Sequence, residues 1–276
     1  MTVFVVDNAS DDGTVEMIQS EFPEVRLRAA RENLGFARAN NLAIREGSAP
    51  YVLALNPDTR LTAGVLDCML ALMDERSEIG IAGCRLVLEN GTFDHAAKRS
   101  FPTPLSALAH FTGIGRRGNA SGRLAQYRAP ELAEHASGPV DAVNGAFMLM
   151  RRAGLEEVGL FDEGYWMYME DLDLCYRFRQ AGWTTWYEPS ATVVHVKAGT
   201  SGKQRRLRAN YAFHYGMFRF YRKHYAFRRR LVINAVVYAG IATKLGVSTM
   251  RSLIQRRLLA QIFSRSRAQA RRLRER

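Results

Sequence analysis

The stretch Val3–Leu27, VFVVDNASDDGTVEMIQSEFPEVRL, decides the fold. Val3–Asp7 (VFVVD) is a short continuous apolar run ending in an acid, the pattern of a buried parallel strand with a polar carboxyl end. Asn8–Thr14 (NASDDGT) is turn chemistry, and Asp11 or Asp12 can cap a helix that runs to about Glu21. Pro23 closes that helix, and Val25–Leu27 supplies a second strand. The same alternation continues downstream. Asn33–Asn40 (NLGFARAN) combines a turn with the start of a helix that reaches Glu46–Gly47. Tyr51–Leu55 is a third apolar strand, ending abruptly in Asn56-Pro57-Asp58. Ala63–Glu75 reads as an amphipathic helix and Ile79–Gly83 as a fourth strand. Cys84–Leu88, followed by Glu89-Asn90-Gly91-Thr92, reads as one arm of a hairpin. Strands alternating with helices through 83 residues predict an α/β fold with a doubly wound, mostly parallel sheet. Ligands of such sheets sit at the carboxyl ends of the strands, where Asp7 and Asp58 both fall.

The second half carries another dense signal, Tyr165–Trp183, YWMYMEDLDLCYRFRQAGW. Leu174, Cys175, Phe178 and Ala181 recur at helical spacing, and Gly182 is placed to end the helix. Glu170, Asp171 and Asp173 then fall in its first turn, where the helix dipole favours an ionised carboxylate. Such a carboxylate beside an aromatic-lined pocket can accept a proton from a sugar hydroxyl, although acids in a first turn also serve as ordinary caps. Between the two signals, Phe101–Gly138 reads as a long, partly helical excursion. Val140–Met150 resumes regular structure and leads into a short helix from Arg151 to Val158. Thr184–Tyr187 and Thr192–Val196 are strands, with His195 in the second, before the Gly/Ser loop Lys197–Gly202.

Composition bounds the rest. The chain has 276 residues, 47% of them hydrophobic, enough to bury one sizeable domain with an appendage. Cys68, Cys84 and Cys175 are odd in number and lie in apolar patterns with no CxxC pair, so a reducing setting is expected. No basic region precedes the first strand, so no signal peptide is expected. The net charge of +12 hides an asymmetry. Residues 203–276 hold 20 Lys+Arg against the single acid Glu275, whereas the other 202 residues hold 19 Lys+Arg and 26 Asp+Glu. The body is mildly acidic and the tail strongly basic, which points the tail at an anionic membrane surface or at nucleic acid. No nucleic-acid motif accompanies the charge, which leaves the membrane. Tyr211, Phe213, Tyr215, Phe218, Phe220 and Tyr221 interleave with Arg and Lys, as suits the headgroup boundary. Leu231–Met250 is largely apolar but is interrupted by Asn234 and Lys244, which favours an interfacial helix pair over a span. Arg251–Arg276 is a basic amphipathic helix or a frayed tail.

Asn56-Pro57-Asp58, Glu170-Asp171 and His195, in this order, match a sugar-nucleotide site: an acid and an imidazole for a divalent cation, and a separate carboxylate as base. The chain resembles the inverting family-two glycosyltransferases of GT-A fold, and within them the bacterial rhamnosyltransferases. The motifs carrying the resemblance are VVDNASDDGT (5–14), ENLGFARANN (32–41), LNPDT (55–59), GAFMLMRR (145–152), GLFDEGYWMYMEDLDLCYR (159–177) and AGWTTWYEPSATVVHVKAGTSG (181–202).

The resemblance implies a catalytic domain over residues 1–202, and the charge and aromatic pattern beyond it implies a basic, helical, membrane-associating tail over 203–276. It implies that Asp7 meets the nucleobase or ribose and that Asn33, Gly35 and Asn40 lie near the nucleotide. Asp58 and His195 would hold Mg²⁺ or Mn²⁺, and Asp171 would be the base with Glu170 in support. Asp173 would be a helix-capping acid. Gly145 and Ala146 would shape the acceptor pocket, with Trp166 and Tyr168 stacking on a sugar. The donor implied is dTDP-rhamnose or a UDP-sugar, the acceptor a polyprenyl-linked or cell-wall glycan, and the place the cytoplasmic face of the membrane.

Two departures stand out. Asn56 replaces the first acid of the family's Asp-x-Asp motif. The family's opening strand, ending in Thr-Tyr-Asn, and its following helix have no counterpart in the sequence. That would fit a start placed too late, or a shortened chain with an open nucleotide pocket. A weakened remnant acting as a membrane-bound scaffold in glycan assembly is the alternative these departures raise.

Overall fold

A computed structural model describes residues 1–102, 132–196, 207–227 and 230–274, with side chains described up to residue 254. The expected loop at Lys197–Gly202 and most of the Phe101–Gly138 excursion lie outside the described residues.

The first unit follows the alternation. Strand β1 (Phe4–Asp7) leads through helix α1 (Thr14–Glu21) to β2 (Arg26–Ala29), which pairs with β1 in parallel, Asp7 opposite Ala29. Gly13 in left-handed conformation starts α1, and Asp12 holds the first turn by accepting from the Thr14 amide at 3.2 Å. Helix α2 (Phe36–Glu46) then leads to β3 (Tyr51–Leu55) and the short β4 (Thr59–Leu61). Helix α3 (Val65–Glu75) precedes β5 (Ile79–Val87). The expected strand at Ile79–Gly83 and most of the hairpin arm after it are therefore one continuous strand. The hairpin itself is confined to a bridge between Val87 and Phe93.

Later come β6 (Lys98–Arg99), β7 (Gly138–Pro139), β8 (Ala142–Val143) and β9 (Phe147–Arg151). Helices α4 (Arg152–Val158) and α5 (Glu170–Gln180) precede the long strand β10 (Thr184–His195). The two strands expected around residue 190 are this single strand, irregular between Glu188 and Thr192. The expected run Val140–Met150 breaks at Asn144-Gly145 into β8 and β9.

The main sheet has the order β3-β9-β5-β10-β4, with β7 also paired to β10. Strands β5 and β10 run parallel, as do β1 and β2, while β9, β4 and β7 enter antiparallel. The result is a mixed α/β sheet. The β1–β2 pair forms its own two-stranded ladder beside it.

Strand β9 shows how the core is layered. Successive side chains of a strand point to opposite faces. Met148 and Met150 accordingly pack with Ala37, Ile44, Leu155, Leu172 and Phe178, from α2, α4 and α5. Phe147 and Leu149 pack instead with Val65, Met69 and Met73 of α3 and with Tyr187 and Val193 of β10. Burial on both faces explains the unbroken apolar run FMLM. Cys84 and Cys175 are buried free thiols, and desolvation pushes Cys175 up to about 12. They serve as small hydrophobes.

The C-terminal segment forms α6 (Leu207–His224) and α7 (Leu231–Arg274). Asn210 bonds to Ser248 and Thr249, and Tyr221 to Asn234, so the two helices run antiparallel. Helix α6 shares the core that α2, α4 and α5 build: Phe220 is buried among Phe101 and Tyr176.

Candidate functional site

The end of β10 builds the first centre. His195 pairs across the sheet with Thr59, and the Val196 amide donates to Asp58 O at 2.8 Å. These backbone bonds bring two residues 137 positions apart to within 3.5 Å, measured from His195 Nε2 to Asp58 Oδ1. Asp58 Oδ1 is buried and has no hydrogen-bond partner among the described residues. Two ligands about 2.0–2.3 Å from one ion lie about 3 to 3.5 Å apart at bond angles of roughly 90–110°. One carboxylate oxygen and one imidazole nitrogen at this separation suit a divalent cation. No group of three or more protein ligands is assembled among the described residues, so other donors would have to come from substrate or water. Behind the ring stands a residue the motifs did not indicate: Asp94 Oδ2 lies 3.1 Å from His195 Nδ1.

The start of α5 builds the second centre. Met169 and Tyr168 both have φ of 72°, so two consecutive non-glycine residues sit in left-handed conformation before Glu170. Strain of this kind persists only where packing over-determines it. Here α6 does so. A Cβ on Gly216 would stand 2.8 Å from Tyr168 O, so only glycine admits the helix this close, and Phe213 packs edge-on against the Tyr168 ring.

Asp171 Oδ1 accepts from the Leu172 amide at 2.8 Å. Its Oδ2 accepts from Arg99 Nη2 at 2.5 Å and from the Gly145 amide at 3.2 Å. Arg99, on β6, is a second residue without a sequence signal. Glu170 is buried, and its Oε2 finds no hydrogen-bond partner among the described residues. Burial first, and the adjacent Asp171 second, push the Glu170 carboxyl up to about 8. Two neighbouring carboxyls are thus differentiated, one facing a guanidinium and one kept protonated near neutral pH.

That shift carries a sign. The folded chain holds a proton on Glu170 that the unfolded chain has released above its ordinary value of 4.5. Stability should therefore fall as pH rises from about 5 to 8 and level off beyond. Glu170→Gln is expected to raise Tm at pH 9 and change it little at pH 5. Parallel Tm curves for the two proteins across that range would count against the buried neutral carboxyl.

Asp173 was expected to cap the helix. It is instead a fully buried hub, bonded to Arg177 at 2.8 Å, Lys223 at 3.0 Å and His224 at 2.8 Å. Burial pushes its carboxyl up, but the His224 bond and the Arg177 and Lys223 charges outweigh that and hold it well below the usual carboxylate range. Helix α5 starts with no side-chain cap, and Gly182 follows its end at φ 91° as expected.

The donor-side residues divide. Asp7 is buried and accepts from the Ser10 amide at 3.0 Å and the Ser10 hydroxyl at 2.5 Å. Its neighbour Asn8, missed in the sequence, ties this loop to the next by accepting from the Leu34 amide at 3.1 Å. Asn33 Oδ1 accepts from the Gly35 amide. Gly35, at φ 80°, lets Trp166 approach: an added Cβ would lie 2.2 Å from Trp166 O, which also accepts from the Phe36 amide. Asn33, Gly35 and Trp166 are therefore one assembly. Arg208 lies over the Trp166 ring at 4.0 Å. Asn40 bonds to Phe36 O within its own helix.

One loop joins the centres. Gly145 N meets Asp171, and Ala146 O accepts from the Asn56 amide at 3.0 Å, so Asn144–Ala146 touches both Asp171 and the Asn-Pro-Asp turn.

The family described as Glycosyltransferase like family 2 matches residues 1–212. The chain belongs to this family. It is 32% identical over 214 residues to the N-acetylglucosaminyl-diphospho-decaprenol L-rhamnosyltransferase of Mycobacterium tuberculosis, covering 74% of this chain and 69% of the relative. It is 28% identical over 169 residues to the rhamnosyltransferase WbbL of Escherichia coli K12, covering 58% and 60%. Among solved structures, the mannosyltransferase PcManGT of Pyrobaculum calidifontis, in complex with GDP-Man and Mn²⁺, superposes with a TM-score of 0.52 at 19% identity, covering 95% of this chain and 70% of that one. The protein is a glycosyltransferase of GT-A type, and its rhamnosyltransferase relatives agree with the resemblance drawn from the motifs.

Proposed function

We propose that this glycosyltransferase moves rhamnose from dTDP-rhamnose, or a related sugar from a UDP donor, onto a polyprenyl-diphosphate-linked or cell-wall glycan with inversion. The Asn144–Ala146 loop carries the reading, because it fixes the carboxylate of Asp171 and the Asp58–His195 pair in one frame. Asp171 Oδ1 makes one hydrogen bond and keeps a lone pair, which takes the acceptor hydroxyl proton as that oxygen attacks the anomeric carbon. Arg99 and the Gly145 amide hold the other oxygen and orient the group. Neutral Glu170 keeps a second charge out of the pocket. A Mg²⁺ or Mn²⁺ ion held by Asp58 and His195 would neutralise charge on the diphosphate leaving group. Asp7, Asn33, Gly35 and Asn40 serve the nucleotide side, and Gly145, Ala146, Trp166 and Tyr168 the sugar and acceptor side. The catalytic unit is residues 1–202 and the membrane-associating tail 203–276, with α6 docked on the catalytic core. The M. tuberculosis relative, named for rhamnosyl transfer to a lipid-linked N-acetylglucosamine, supports the acceptor class.

The test supplies the full chain with dTDP-rhamnose and N-acetylglucosaminyl-diphospho-polyprenol. A deoxyhexose should be added to the lipid with inverted anomeric configuration. Transfer from a UDP-sugar alone would replace the donor. No binding of dTDP or UDP by calorimetry, with or without Mn²⁺, would favour the scaffold alternative. Chelation is expected to lower transfer by about 10²-fold or more, reversibly on adding Mn²⁺. Asp58→Ala should respond to neither treatment.

A further inference from the structure

We propose that Asp94 is a positioning residue that fixes the tautomer of His195 and so makes its Nε2 a metal ligand. The inference rests on the reading of Asp58 and His195 as the cation site and adds a residue to it.

Asp94 is held rigidly from three directions. Its amide donates to Leu86 O at 2.9 Å, and its carbonyl accepts from the Ala97 amide at 2.9 Å. Its Oδ1 accepts from the Ala96 amide at 3.0 Å. The first bond ties the residue to β5 and the other two close the turn after it; β5 pairs in parallel with β10, Val87 opposite Val194, one position before His195. Its Oδ2 lies 3.1 Å from His195 Nδ1, with both residues buried.

An ionised carboxylate only accepts hydrogen bonds, so the ring proton belongs on Nδ1. Nε2 then presents its lone pair to Asp58 Oδ1, 3.5 Å away. In that tautomer two acceptors face each other at this distance. A cation between them turns that repulsion into coordination. Carboxylate–histidine–metal arrangements of this kind orient the ring and raise its basicity, and losing the outer carboxylate lowers metal affinity by about 10- to 100-fold. Asp94 sits on the far nitrogen and is not itself a ligand. It lies 101 residues from His195 in sequence, in a segment without periodicity.

The experiment uses the full chain and two readouts. In metal-free wild type at pH 8, ¹⁵N–¹H correlation of the histidine rings should show a proton on Nδ1 of His195. The His195 signal is identified by its loss in His195→Ala. Free Mn²⁺, followed by electron paramagnetic resonance in the presence of UDP or dTDP, should bind wild type. His195→Ala should abolish that binding, and Asp94→Asn should weaken it by about 10- to 100-fold, because an amide donating toward the ring selects the opposite tautomer. If wild type takes up no Mn²⁺, the metal reading fails, while the nitrogen pattern still decides the Asp94 contact. A proton on Nε2 with none on Nδ1 would overturn the assignment of Asp94. So would an Asp94→Asn chain that binds Mn²⁺ as wild type does while His195→Ala does not. Should Asp94→Asn fail to fold, the wild-type nitrogen pattern alone decides.

Discussion

Asp171→Asn is expected to lower transfer by about 10²-fold or more while leaving calorimetric donor binding nearly unchanged. The amide is the same size, and its carbonyl oxygen can still accept from Arg99 and the Gly145 amide, so the pocket should keep its shape except at the Leu172 amide, which loses its acceptor. What is lost is the lone pair that takes the proton. The amide nitrogen, turned toward the acceptor, donates instead. Proton abstraction occurs only on the way to the transition state, so kcat should fall and the donor Kd should not. Glu170→Gln is the necessary comparison. Because Glu170 is already held neutral by burial and by Asp171, it should be milder near neutral pH. Near-wild-type transfer by Asp171→Asn, with loss in Glu170→Gln, would exchange the two roles. Loss in Asp173→Asn is no test of base chemistry, because that carboxylate holds Arg177, Lys223 and His224.

Much of the frame was legible because its signals are local. Val3–Asp7, Tyr51–Leu55 and the helix after Met169 each announce themselves by an apolar run or a helical period. Strand direction does not. FMLM reads the same in either orientation, and the Asn144-Gly145 turn that reverses it resembles an interruption within one strand. The candidate site was legible where polar residues sit at element ends, as at Asp58, Asp171 and His195. Arg99 and Asp94 were not, because they reach their partners across 72 and 101 residues from short polar segments without a period. Their importance comes from burial, which no local pattern reports. The aromatic stretch after Arg205 is ambiguous for a related reason. Rings among arginines suit a lipid headgroup or a protein surface equally well. The structure sorts them by face: Phe220 and Tyr221 are buried, while Tyr211 and Tyr215 are exposed. Arg219 and Lys223 are likewise spent on Asp162 rather than offered to solvent.

This sorting decides how the tail should be cut to find its anchor. A chain ending at residue 202 loses Phe220 from the core and strips Lys223 and His224 from the buried Asp173. Breaking a buried ion pair from one side costs about 3–5 kcal/mol, enough to threaten a domain of ordinary stability. That truncation is expected to unfold or aggregate, and its behaviour with membranes would then report misfolding. A cut after residue 227 removes only α7. Its apolar stretch Leu231–Ile254 is 24 residues long, and an 18-residue window of it has mean hydropathy 1.5 and is 17% buried. Length alone would allow a span. Yet Tyr221–Asn234 and Asn210–Ser248 bonds hold α7 along α6, and α6 carries charged contacts to the catalytic domain. A helix held this way would have to leave its partner to span hydrocarbon, so we propose that it lies flat on a membrane surface. Leu231 and Val232, 74% and 77% exposed, would enter the headgroup boundary. The basic residues beyond Ile254 would add about 1 kcal/mol each where they meet anionic lipid. Full-length protein should float with phosphatidylglycerol vesicles and be released as salt rises. The chain ending at residue 227 should stay folded by circular dichroism and remain at the bottom of the gradient. In the intact chain, Val232→Glu, Val236→Glu and Val247→Glu together should reproduce that loss. If both altered proteins float as wild type does, the anchor lies elsewhere in the chain.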